Sequence, residues 1–104
     1  MSARSPQLWT IVVTDHAMWR AAERFPGFLT ETIEAEVRAA LAANRITHDR
    51  GILGLLPDSD PETLYVWTKS GRRIYALRVD RYDATGSGWV VATTMKRGEK
   101  TYGD

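Results

Sequence analysis

Leu64-Tyr65-Val66-Trp67-Thr68-Lys69-Ser70-Gly71-Arg72-Arg73-Ile74-Tyr75-Ala76-Leu77-Arg78-Val79-Asp80 is the stretch that decides the fold. Two runs rich in β-branched and aromatic residues, 64–69 and 72–80, flank Ser70-Gly71, a two-residue hairpin signal. Residues 88–96 form a third strand candidate after the looser connection 83–87. Before the hairpin, Pro57-Asp58-Ser59-Asp60-Pro61 is a turn, and residues 51–56 read as a strand or a packed loop.

The first half of the chain has helical spacing instead. Thr14 and Asp15 are good N-caps, and residues 14–25 place Met18, Ala22 and Phe25 on one side. Pro26-Gly27 ends that helix, because proline cannot continue the hydrogen-bond ladder. Thr30 is expected to cap a second helix reaching about Asn44, with Ile33, Val37, Ala40 and Leu41 as its buried stripe. Residues 8–14 are apolar and β-branched, a strand or an extended lead-in. Segregation of helices from strands predicts a single α+β domain over residues 1–104, with two N-terminal helices packed on a small antiparallel β-meander of about four strands.

The chain has 104 residues, 43% hydrophobic and 26% charged, as in an ordinary globular protein. No apolar run approaches the roughly 20 residues needed to cross a bilayer. Residues 1–7 lack the apolar core of a secretory signal, so no membrane association and a cytoplasmic location are expected. Absence of cysteine excludes disulfides and thiolate metal sites. A net charge of +1 argues against a broad nucleic-acid footprint. The charge is nonetheless uneven. Lys69, Arg72, Arg73, Arg78 and Arg81 crowd the hairpin region, whereas Glu31, Glu34 and Glu36 make the second helix acidic, at positions the helix dipole favours. That pattern suits a local anion site.

His16, Arg20 and Arg24 stand at i, i+4 and i+8 on the first helix and form one ridge. Like charges at this spacing cost about 0.2–0.5 kcal/mol per pair, a cost that an anion site would explain. Arginine holds phosphate bidentately and histidine exchanges a proton near neutral pH. The plainer reading is a solvated face with Glu23 bridging to a neighbouring arginine. On the last strand, alternation puts Trp89, Val91, Thr93 and Met95 on the core face and leaves Thr94 and Lys96 open to donate to a phosphate. Tyr65, Trp67, Tyr75 and Trp89 occupy strand positions suited either to stacking on bases or to the core. His48 is the second histidine, with nothing in the sequence to bring it near His16. No ligand spacing supports a metal, and no cofactor is expected.

Thr14-x-His16-Ala17-x-x-Arg20-x-x-x-Arg24, followed by Ile33-Glu34-x-Glu36-Val37-x-x-Ala40-Leu41, resembles a family of small bacterial domains sharing that opening, two helices and a short meander. They are similar to the metal-independent ribonucleases of the RelE, barnase and EndoU type. The resemblance implies RNA cleavage by attack of the ribose 2′-hydroxyl on its own phosphate, with His16 as acid or base and Arg20 and Arg24 on the phosphate. A hydroxyl of the last strand would add a donor. Motif alignment selects Thr93 and the face argument selects Thr94. Lys96, Tyr75 and Arg73 are the expected substrate contacts, and RNA and an antitoxin or inhibitor protein the expected partners. Two alternatives use the same fold: a non-enzymatic protein- or nucleic-acid-binding module, and a ParE-like toxin acting on a topoisomerase.

Overall fold

The computed structural model describes residues 9–48, 63–80 and 88–96. Strand β1 (Thr10–Val13) leads into helix α1 (Asp15–Arg24), and a short 3-10 turn (Thr30–Thr32) opens helix α2 (Ile33–Ala42). Strands β2 (Ile46–Thr47), β3 (Leu64–Trp67), β4 (Arg73–Val79) and β5 (Gly88–Lys96) follow. They form one five-stranded mixed sheet in the order β1-β5-β4-β3-β2.

The α+β class agrees with the sequence, but the sheet is larger than a four-stranded antiparallel meander. The apolar lead-in is a true strand, and it pairs parallel to β5, with Val13 beside Val91. The helices are therefore not N-terminal to all strands; α1 follows the edge strand directly. The other pairs are antiparallel. The β3–β4 connection is wider than the two-residue turn expected. Thr68 and Arg73 face each other through Thr68 N–H to the Arg73 carbonyl, and Gly71, at φ 76°, donates to the Thr68 carbonyl. The 51–56 candidate and the turn at 57–61 lie outside the described residues.

Thr14 caps α1 as its sequence position suggests, its hydroxyl accepting from Ala17 N–H at 3.1 Å. The second helix begins differently. Thr30 starts the 3-10 turn, and the Thr32 hydroxyl donates to the Leu29 carbonyl instead of capping. Beyond Ala42 the chain turns at Asn44, whose φ of 58° ends the helical path.

Both helices lie on one face of the sheet. Ala17 and Ala21 of α1 and Ile33, Val37 and Ala40 of α2 pack with Ile11, Leu64, Val66, Tyr75, Leu77 and Val91. On the opposite face Tyr65, Ile74, Ala76 and Met95 cluster with Trp67. Alanine at 17 and 21 lets α1 sit close to β5, and both residues are fully buried.

A β-bulge in β5 corrects the strand faces expected from simple alternation. Ala76 opposes Thr93 while Leu77 opposes Val91, so Ala92 is an extra residue and the side-chain pattern reverses across it. Val91 faces the helices, and so does Thr94. Thr93, opposite Ala76, and Met95, opposite Ile74, take the other face. Thr94, expected to be open, is fully buried and donates to the Ala17 carbonyl at 2.9 Å. The carbonyls released at the bulge are met by Thr14, whose hydroxyl lies 2.9 Å from the Val91 oxygen and 3.3 Å from that of Ala92.

Candidate functional site

Cations gather where the C-terminal end of α1 meets the ends of β4 and β5. Arg24, Phe25, Pro26, Gly27, Phe28, Arg72, Arg73 and Lys96 line an open cleft of about 490 Å³. Arg73 and Lys96 are direct cross-strand partners, so their side chains leave the sheet together on the helix face. Arg24 reaches them from above. With about 100° between successive helix residues, Arg24 is only about 20° from the buried Ala17, whereas His16 is about 100° away.

The floor of the cleft is shaped by Phe25-Pro26-Gly27-Phe28. Phe28 N–H donates to the Phe25 carbonyl at 2.9 Å, with proline second and glycine third at φ 83°, the pattern of a type II turn. The turn sets the two phenylalanine rings 6.3 Å apart, edge to face. The Arg73 guanidinium packs over both, 5.3 Å from the centre of Phe25 and 4.3 Å from that of Phe28.

Glu36 fixes Arg73 from the other side. Arg73 Nε donates to Glu36 Oε1 at 2.9 Å and Nη2 donates to Oε2, while the Tyr75 hydroxyl donates to Oε1. The hydrogen bond to Glu36 raises the pKa of Arg73 above its ordinary value, against an opposing effect of burial. Burial, reinforced by the hydrogen bond to Glu36, holds the Tyr75 phenol far above the usual tyrosine range. Arg73 thus remains a cation, Tyr75 a neutral donor, and the guanidinium is clamped between a carboxylate and two rings.

The ridge of α1 resolves into two environments. Arg20 Nη1 meets Glu23 Oε1 at 2.8 Å, and Arg24 Nη1 lies 3.7 Å from the same oxygen. Glu23 therefore bridges both arginines, as the plainer reading held. The face is not a solvated one, however, since only 12% of the Arg20 side chain and 8% of that of Arg24 are exposed. His16 is exposed beside Trp19, their ring centres 6.0 Å apart, and Arg20 lies 5.5 Å from the Trp19 ring centre. The rise of a helix puts His16 about 12 Å along the axis from Arg24.

Among the expected site residues, then, the structure brings together Arg24, Arg73 and Lys96. His16 and Arg20 stand elsewhere on α1, and Thr93 faces away from both helices. Thr94 is committed to Ala17. Tyr75, read as a substrate contact, is fully buried, and its hydroxyl is held by Glu36. Tyr65 is buried as well, which removes it from an aromatic contact surface. His48 follows β2 and donates from Nδ1 to the Thr63 carbonyl at 2.8 Å, while α1 packs against β5. No group of three potential metal-ligating side chains occurs among the described residues.

Sequence reasoning missed Phe25, Phe28 and Glu36, whereas Arg72 belonged to the basic hairpin run read as suited to a local anion site. Two signals were present. Phenylalanines flank the helix-ending Pro26-Gly27, and Glu36 sits about 60° from the buried stripe of α2, close enough to reach under the helix. Comparison with protein-family models, curated proteins and solved structures finds no match for this chain.

Proposed function

We propose that this chain binds RNA, holding phosphate in the cleft of Arg24, Arg72, Arg73 and Lys96. The convergence of those four cations beside two phenylalanine rings is the observation that carries the reading. Guanidinium groups match phosphate oxygens in geometry and charge, and the two rings hold the Arg73 guanidinium in place by cation–π contact. A net charge of only +1 fits a local site and not a long electrostatic track.

Fluorescence anisotropy with a short single-stranded RNA tests it. Lys96→Glu, at an exposed position, is expected to weaken binding by about tenfold and to flatten the salt dependence. Unchanged affinity in that variant would sink the cleft as the binding site.

RNA cleavage of the RelE/barnase type is the second reading. It is favoured by the exposed His16, one turn from Arg20 and on the same helix as Arg24. It predicts strand cleavage that persists in chelator, leaves cyclic phosphate ends and disappears in His16→Ala. An antitoxin-like partner belongs to that reading. If RNA is bound and released intact, the chain is a binding module. No helix among the described residues is long and apolar enough to cross a membrane.

A further inference from the structure

We infer that Glu36 is a positioning residue for the phosphate contact: it strengthens RNA binding through Arg73, although its own charge repels phosphate. The inference rests on reading the cleft as an RNA phosphate site. The first argument is the part of Arg73 left for a ligand. A guanidinium carries its N–H groups in a fixed planar fork. Glu36 takes the side-on edge, Oε1 accepting from Nε at 2.9 Å and Oε2 from Nη2. Nη1 and the second hydrogen of Nη2 form the end-on edge, which is spaced for two phosphate oxygens just as the first is for a carboxylate. A two-point grip on one edge therefore fixes the direction of the other without using it. Phe25 and Phe28 keep the plane from rolling, their ring centres 5.3 and 4.3 Å from the guanidinium carbon.

The second argument is that Glu36 is itself held. The Tyr75 hydroxyl donates to Oε1, and Tyr75 is fully buried two residues along β4 from Arg73. One carboxylate oxygen thus receives both the Arg73 Nε–H and a buried phenol. Turning Glu36 away would leave that phenol without a partner. Glu36 stands on α2 and Arg73 at the start of β4, 37 residues apart in sequence. Only 23% of the Glu36 side chain and 22% of that of Arg73 are exposed, so the pair is shielded in a way that a surface ion pair is not.

The third argument is the sign of two opposing effects. A free arginine loses rotamer freedom when it meets phosphate, whereas one already gripped has lost it on folding. Releasing the grip moves that cost to the binding step, about three- to tenfold in affinity for one long side chain. Charge acts the other way, since neutralising a carboxylate beside a phosphate favours binding. Positioning and charge therefore predict opposite results for one substitution.

Glu36→Gln is that substitution. Glutamine keeps the length and offers Tyr75 an oxygen, but it sets an amide N–H against an arginine N–H, so the two-point grip is lost. Anisotropy titration of the full chain with a short single-stranded RNA should show affinity about three- to tenfold weaker. Arg73→Lys, which keeps the charge and lacks the fork, should fall at least as far. Thr94→Val, buried and outside the cleft, controls for lost stability and should bind as the parent does. The NMR signal of the Arg73 Nε–H, assigned by its absence in Arg73→Lys, should persist in the parent when RNA is added. Stronger binding by Glu36→Gln, or an Nε–H signal that RNA abolishes, makes Glu36 a competitor of the ligand and overturns the inference. Unchanged binding makes its contact with Arg73 purely structural and overturns it too. If Lys96→Glu binds as the parent does, the cleft reading itself fails, whatever Glu36→Gln does.

Discussion

The Thr94 hydroxyl donates to the Ala17 carbonyl oxygen at 2.9 Å, joining the middle of the last strand to the first helix. Both residues are fully buried, so this bond replaces water that neither group can reach. Thr94→Val keeps the shape and removes the donor, and should cost about 1 kcal/mol. In a domain of this size that lowers Tm by roughly 4–8 °C, measurable by circular dichroism. The proposed RNA binding should not change, because the hydroxyl contributes to packing and not to the cleft.

The close approach of α1 to β5 depends on small side chains at 17 and 21. Ala21→Leu should destabilise by about 2 kcal/mol, since the added methylenes have no space without moving the helix. Ala22→Leu, on the exposed side of the same turn, should stay within about 0.5 kcal/mol. Denaturant titration of the two variants compares them directly. Equal effects would contradict the packing described for α1.

The clamp on Arg73 predicts an alkaline limit to stability. Burial and Glu36 raise the Tyr75 pKa in the folded chain, while the unfolded chain ionises near the ordinary value of about 10. A raised pKa gives stability that is fully present below the unfolded value and is lost above it. Between about pH 10 and the folded value the unfolded state releases a proton that the folded state keeps, so Tyr75 lowers stability by up to about 1.4 kcal/mol per pH unit. Tyr75→Phe should be less stable than the parent at pH 8 and should lose that part of the alkaline slope. Urea denaturation across this range, set beside tyrosinate absorbance, measures both effects.

His16→Ala should leave stability within about 0.5 kcal/mol, because the imidazole is exposed. If the cleft binds RNA as proposed, the variant should also leave that binding unchanged, the ring being about 12 Å along the helix from Arg24. Loss of cleavage with retained binding would give His16 a catalytic role. Loss of binding would place RNA along the whole helix.

Much of the frame was legible because local chemistry and final structure agree. Thr14 is a cap in both, Pro26-Gly27 ends α1 in both, and residues 88–96 form a strand with the bounds read from sequence. Elements that depend on distant partners were not legible. Pairing of β1 with β5 requires a parallel neighbour that no local pattern specifies. Glu36 looks like a dipole-favoured acid until Arg73 and Tyr75 are placed beneath it. Among the site residues, Arg24, Arg73 and Lys96 were visible as cations. Their meeting was not, because it depends on cross-strand register and on the rotation of α1. Period-two alternation selected Thr94 as open for the same kind of reason: it assumes an uninterrupted ladder.

The supernumerary Ala92 also governs how this strand is to be matched to others. Without it, Trp89, Val91, Thr94 and Lys96 would alternate regularly and keep the faces they now have. An indel at this point is therefore compatible with every helix-facing contact of the strand, at the expense of the carbonyl arrangement that Thr14 meets. Aligned without a gap to an unbulged strand, Thr93 falls on the place that Thr94 holds in space. Opening a one-residue gap at Ala92 restores the correspondence and carries Lys96 into register with it.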